Sequence, residues 1–291
     1  MGAPSRAEGG EPAVATGAPP GPADVVARGR IGARFAERRE EGRCALVAYL
    51  TAGFPEPSGT VAAMEALADG GADVIELGIP FSDPLADGPT VQRSSFVALQ
   101  RGMTTRKALA LLSEFRRRRD TPVVLMTYVN PVIRYGTRDF CVAARAAGAD
   151  GIILTDLPVG SDPELESAAA SSGLDLVRLV APTTTGDRAQ EVAAGGSGFL
   201  YYISRTGVTG ARAELPPGLA DEVRAVKSRV RLPVAVGFGI STPEQAAAVA
   251  GVADGVVVGS ALIRRIEEEG VAGASHFVAA LRSAMDGAPQ G

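Results

Sequence analysis

The stretch Gly71-Ala-Asp-Val-Ile-Glu-Leu-Gly78 contains one complete turn of a repeating design. Before it, Ser58–Ala68 places Val61, Met64, Leu67 and Ala68 at helical spacing, and Gly70-Gly71 stop the helix. After it, Val74–Leu77 is a short apolar run that reads as a strand, with Glu76 at its end. The same unit returns as Gly148-Ala-Asp before Gly151–Leu154, Gly173-Leu-Asp before Asp175–Val180, and Ala253-Asp-Gly before Gly255–Val258. This recurrence suits helix C-caps feeding strands. Four more apolar runs, Cys44–Leu50, Val123–Thr127, Phe199–Ile203 and Val234–Val236, complete the set. Helical patterns separate them near 90–101, 104–117, 138–147, 163–172, 187–194, 217–229 and 242–249. A helix over Ile31–Glu41 precedes the first strand, and Ser260–Glu269 and Val271–Met285 close the chain.

The apolar runs are continuous rather than alternating, as parallel strands covered on both faces require. Eight strand–helix units in about 250 residues predict an α/β fold, the (β/α)8 TIM barrel, here with an extra N-terminal helix. The alternative, a doubly wound sheet, calls for a Gly-rich loop after its first strand. Thr51-Ala-Gly-Phe-Pro55 does not have that spacing. Residues 1–27, rich in Ala, Gly and Pro, read as a disordered extension, and 28–291 as one catalytic domain.

Composition narrows the chemistry. At 291 residues and 46% hydrophobic content the chain can bury a large core. A net charge of -4 and a pI near 5.3 give no electrostatic reason to expect nucleic acid. The basic run Arg116–Arg119 reads as a solvated helix C-terminus. No run has the roughly 18 apolar residues of a membrane span. The N-terminal extension has no signal-peptide core and carries acids, so a cytoplasmic protein is expected. The two cysteines, Cys44 and Cys141, read as buried free thiols of a reduced compartment. With His276 the only histidine, Ser–His and His–metal chemistry is close to excluded.

In such a barrel the active site lies at the C-terminal ends of the strands. That rule gathers Glu76, Tyr128, Asn130, Asp156, Ser204–Gly210, Gly237–Ser241 and Gly259-Ser260 at one mouth. Glycine turns after strands seven and eight, the last opening a helix, form a phosphate site from backbone N–H groups and helix dipole. Ser204–Leu215 is long, polar and Gly-containing, as a lid would be. Glu76, set among Val74, Ile75, Leu77 and Ile79, is either a proton-transfer group with raised pKa or a satisfied buried Glu bonded to loop amides. Asp87, before Gly88-Pro89, is either functional or an N-cap, and Asp83 before Pro84 reads as a turn former. The irregular spacing of these acids carries no metal-ligand signature.

The loop extends this argument to a family. Glu76-Leu-Gly-Ile-Pro-Phe-Ser-Asp-Pro-Leu-Ala-Asp-Gly-Pro89 resembles the signature of the tryptophan synthase α subunits nearly residue for residue. The resemblance continues through Met126-Thr-Tyr-Val-Asn-Pro131, Asp156-Leu-Pro158, Gly198–Ser204, Gly207-Val-Thr-Gly210, Gly237–Ser241 and Val258–Ala261. It implies a carbon–carbon lyase that cleaves indole-3-glycerol phosphate to indole and glyceraldehyde 3-phosphate in tryptophan biosynthesis. By the same resemblance Glu76 is the acid/base, Asp87 accepts the indole N–H, and Tyr201 lies beside the glutamate. Tyr49, Tyr128 and Phe238 correspond to ring-binding positions, Gly210, Gly239, Gly259 and Ser260 to the phosphate site, and Thr209 to a lid threonine that contacts Asp87. Asp83, Pro84, Asn130 and Pro131 correspond to loops that dock a β subunit in an α2β2 complex. No Schiff-base lysine motif is present, so pyridoxal phosphate (PLP) would belong to the β partner, with no cofactor in this chain. The N-terminal extension and Val129, where an aromatic is common, depart from the family pattern. Two other readings share the same residues: a stand-alone lyase releasing free indole, and a non-catalytic partner that only regulates a β subunit.

Overall fold

The computed structural model describes residues 29–203, 217–237 and 239–288. Eight strands, β1 (Ala45–Thr51), β2 (Val74–Gly78), β3 (Val123–Thr127), β4 (Gly151–Leu154), β5 (Asp175–Val180), β6 (Leu200–Ile203), β7 (Val234–Gly237) and β8 (Gly255–Val258), close into one parallel barrel in chain order. At the closure, β1 pairs with β8 through Ala45–Ala48 and Gly255–Val258. Expected strand positions match to within a residue or so. Gly71, Gly148 and Gly173 all take positive φ at the turns that enter strands, a conformation that costs glycine nothing.

Two apolar layers hold the barrel. The outer one packs strand residues such as Leu46, Ile75, Leu125, Ile152 and Val256 against the surrounding helices. The inner one contains Val47, Val74, Val124, Ile153, Val177, Phe199, Ala235 and Val257. Ile31 and Phe35 of the helix Gly29–Glu40 join this inner layer, so the extra helix plugs the N-terminal end of the barrel. Phe35 stacks on Phe199 with ring centroids 5.2 Å apart. A Cβ at Gly255 would stand 2.7 Å from the Phe35 ring, so the plug needs a residue without a side chain there.

The acids of the repeating turns have a structural task. Asp73, Asp150 and Asp254 each accept a backbone N–H from the first or second residue of the preceding strand: Leu46 at 2.8 Å, Val123 at 2.9 Å and Val234 at 2.8 Å. Ser197 does the same for Leu176 at 2.9 Å. The barrel thus repeats a pairing of odd with even strands four times around its lower rim. Each of the three acids also meets a cation: Asp73 meets Arg38 and Arg282, Asp150 meets Arg116, and Asp254 meets Lys227.

Two expectations need correction. Arg116 is not a solvated helix end: it is half-buried and donates to Asp150 and to the carbonyls of Gly148 and Thr121. Its long apolar stem let it serve the neighbouring strand while the rest of the run stayed near water. Asn130 and Pro131 do not lie in a loop but in the first turn of a helix, Val129–Tyr135. Proline near a helix start loses no helical hydrogen bond, and the Asp156 carboxylate accepts the Val129 N–H at 2.8 Å.

Candidate active site

Alternation along the strands builds the site. Two residues beyond the inner apolar layer, toward the C-terminal ends, come Tyr49, Glu76, Met126, Thr155, Leu179, Tyr201, Gly237 and Gly259. All but Gly237 line a cavity of about 580 Å³, a volume suited to a small organic substrate. Above this floor the cavity is bounded by Ala86–Val91, Ile203, Gly239–Ser241 and Ser260–Ala261. Sequence reasoning missed the apolar walls Met126, Ile153, Leu179 and Ile203. The two-residue strand period, counted from Glu76 and Tyr201, was the signal that could have found them.

Two tyrosines brace the floor. Tyr49 pairs in register with Glu76 across β1 and β2. Its ring crosses Gly78, where any Cβ would run into the Tyr49 hydroxyl, and Gly237 makes the same room for Tyr201. The Tyr49 hydroxyl hydrogen-bonds Thr51 Oγ1 at 3.1 Å, and Thr51 hydrogen-bonds buried Ser94 at 2.6 Å. Neither Thr51 nor Ser94 stood out in the sequence, because short hydroxyl side chains have no spacing signature.

Glu76 is 1% exposed. One of its carboxylate oxygens is buried without a hydrogen-bond partner among the described residues, so it is not the satisfied buried glutamate that the sequence left open. Burial, and after it the charge of Asp87, raise its pKa to about 8. Asp87 lines the same cavity. Its pKa is raised to about 6 by burial, against a lowering hydrogen bond from Tyr128. Asp87 does not cap the helix Pro89–Gln100, whose N-cap is Gly88 with no side-chain cap. Burial is also the largest cause holding the Tyr49 and Tyr201 hydroxyls well above the usual phenol range. Burial therefore favours the protonated form of Glu76 more strongly than that of Asp87.

Tyr128 stands next to Asp87. It accepts the Ala86 N–H at 3.0 Å and hydrogen-bonds Asp87. Its ring packs on Phe81 at 5.2 Å. Asp83 and Asn130 are exposed on the outer surface, with Pro84 and Pro131 half-buried beside them. The Ser82 hydroxyl donates to the Asp83 carboxylate at 2.5 Å, and Leu85 donates its N–H to the Asp83 carbonyl at 2.9 Å. Gly239, Gly259 and Ser260 also line the cavity. Thr209, Gly210, Phe238 and the Ser204–Leu215 lid lie outside the described residues, as does the N-terminal extension. Among the described residues no cluster of His, Cys, Asp or Glu is placed to hold a metal ion, and no helix is long and apolar enough to cross a membrane.

Known proteins share this architecture and sequence. A family model described as tryptophan synthase alpha chain matches residues 35–286. The tryptophan synthase alpha chain of Burkholderia thailandensis is 49% identical over 264 residues, covering 89% of this chain and 97% of that relative. The alpha chain of Chloroflexus aurantiacus is 48% identical over 261 residues, 88% and 98% of the two chains. Among solved structures, tryptophan synthase subunit alpha of Legionella pneumophila superposes with a TM-score of 0.83 at 38% identity, covering 89% of this chain and 98% of that one. A chain of Mycobacterium tuberculosis tryptophan synthase gives 0.83 at 38%, over 88% and 98%. With a family model spanning nearly the whole barrel and relatives this similar over almost their full length, the chain belongs to the tryptophan synthase alpha chain family.

Proposed function

We propose that Glu76 carries the proton transfers of the reaction this family catalyses, the retro-aldol cleavage of indole-3-glycerol phosphate to indole and glyceraldehyde 3-phosphate. Membership makes the chain a carbon–carbon lyase of tryptophan biosynthesis. The bond to be broken joins indole C3 to a hydroxyl-bearing carbon. A proton added at C3 makes that carbon part of a leaving group, and removal of the hydroxyl proton completes the aldehyde as the bond breaks. A carboxyl titrating near 8 is protonated at neutral pH and can give the first proton. The carboxylate so formed can take the second, which returns Glu76 to its starting state.

Asp87, ionised at neutral pH, accepts the indole N–H and steadies the positive charge that C3 protonation places on the ring. Tyr49 and Tyr201 keep water from the glutamate and set its position. Tyr128 acts through Asp87 rather than on the ring. Gly239, Gly259 and Ser260, with Gly210 and Thr209 from the lid and Phe238 over the ring, complete the substrate site. The observation that carries this reading is the buried, unpartnered carboxylate oxygen of Glu76 at the floor of the same cavity as Asp87.

The indole passes to a PLP-dependent β subunit in an α2β2 complex. Leu85 is 89% exposed and Ile133 57% exposed, beside Asp83, Pro84, Asn130 and Pro131, which supports docking on this surface. Apolar side chains left in water there would be buried by a partner. Buried free thiols at Cys44 and Cys141 support a reducing cytoplasmic location. The test is indole formation from indole-3-glycerol phosphate, with and without a β subunit. Slow release alone and a large rise with the partner are expected. Full activity alone would favour the stand-alone lyase, and no indole in either case would overturn the reading.

A further inference from the structure

The substrate cavity has two carboxylates, Glu76 and Asp87, and a single cation, Arg264, among its described lining residues. Arg264 belongs to the helix that begins at Ser260. Four residues on, it shares a helix face with Ser260, about 6 Å further along the axis. Helical side chains lean toward the N-terminus, which directs Arg264 toward Ser260, and both residues line the cavity. The flanking arginines are committed elsewhere: Arg265 pairs with Glu269, and Arg93 pairs with Glu267. Arg264 is half-buried and has no ion-pair partner among the described residues.

We propose that Arg264 is a specificity-determining residue for the phosphate end of the substrate, its guanidinium pairing with the phosphate dianion. The inference rests on the reading that this cavity takes a phosphorylated substrate. Backbone N–H groups and a helix N-terminus offer only about half a unit of positive charge. The incoming dianion must also approach an ionised Asp87. A full positive charge at the phosphate end offsets that repulsion, and the planar guanidinium fits two phosphate oxygens at once. It also explains why the arginine nearest the helix start lacks the carboxylate partner its neighbours have.

The test compares wild type with Arg264→Gln, Arg264→Met and Arg264→Lys in steady-state indole formation, assayed with a β subunit present. Gln and Met should raise KM about tenfold or more, with the effect on KM exceeding that on kcat. Inorganic phosphate should lose potency as a competitive inhibitor by a similar factor, while inhibition by indole stays unchanged. Lys should recover most of the KM and the phosphate inhibition. Met keeps the stem packing, so a folding defect confined to one variant leaves the other to answer. Unchanged KM and unchanged phosphate inhibition in an active protein would overturn the role of Arg264 alone. A wild type that forms no indole would instead overturn the reading of the site.

Discussion

The two ends of the barrel place the same residue type in opposite circumstances. At the lower rim, Asp73, Asp150 and Asp254 each hold a strand N–H and face an arginine or lysine. At the upper rim, Glu76 has a carboxylate oxygen with no partner among the described residues, and the charge that acts on it is that of another carboxylate, Asp87. A carboxylate held by a cation and a backbone donor serves the fold. One without them holds its proton up to about pH 8 and can do chemistry near neutrality. Asp175 falls between: it starts the odd strand whose Leu176 N–H is held by Ser197, and burial raises the aspartate to about 6.

The contrast breaks most sharply at Glu76. Glu76→Gln keeps the shape and removes the titrating group, and should lower indole formation by about a thousandfold or more. Near wild-type turnover would refute the assignment. The same variant should be more stable than wild type in alkali. A carboxyl whose folded pKa is raised loses stability as pH climbs from the unfolded value of 4.5 through about 8, and the amide has no such loss. Melting temperatures at pH 6 and pH 9 would check the sign.

At the lower rim the opposite split is expected. Asp150→Ala leaves the Val123 N–H and Arg116 without their acceptor, which costs about 3 kcal/mol of stability. Indole formation at 25 °C should hardly change, with denaturant titration giving the loss. Asp87→Asn should slow cleavage by about a hundredfold, as loss of one transition-state partner does. An unchanged rate would remove Asp87 from the reaction. The smallest effect belongs to Tyr128→Phe. Its hydrogen bond lowers the Asp87 pKa, so its loss should shift the acid limb of the kcat/KM profile upward from about pH 6, with only a modest fall at the optimum. A profile that does not move would detach Tyr128 from Asp87.

Much of this was legible in local pattern. Apolar runs and glycine stops specified eight units, since strand and helix periods are short-range properties of the chain. The barrel rule then brought Glu76, Gly239, Gly259 and Ser260 to one mouth. The misreadings came where a side chain reaches across elements. Arg116 was assigned to solvent, although its partner Asp150 is 34 residues away. The helix Val129–Tyr135 was missed because part of its start is supplied by Asp156, from the next strand.

The sequence by itself determined the number and order of the strands, the acid at the end of β2, and the family signature around it. Tertiary structure alone decided which acids find a partner. Arg282 reaches Asp73 across 209 residues of chain, whereas nothing cationic reaches Glu76 among the described residues. A pKa follows from burial and from charges a few ångströms away, and neither distance nor solvent access is written in a local stretch of sequence. That is why Glu76 and Asp73, three residues apart in one short turn and strand, end as a carboxyl with an unpartnered oxygen and a structural anchor.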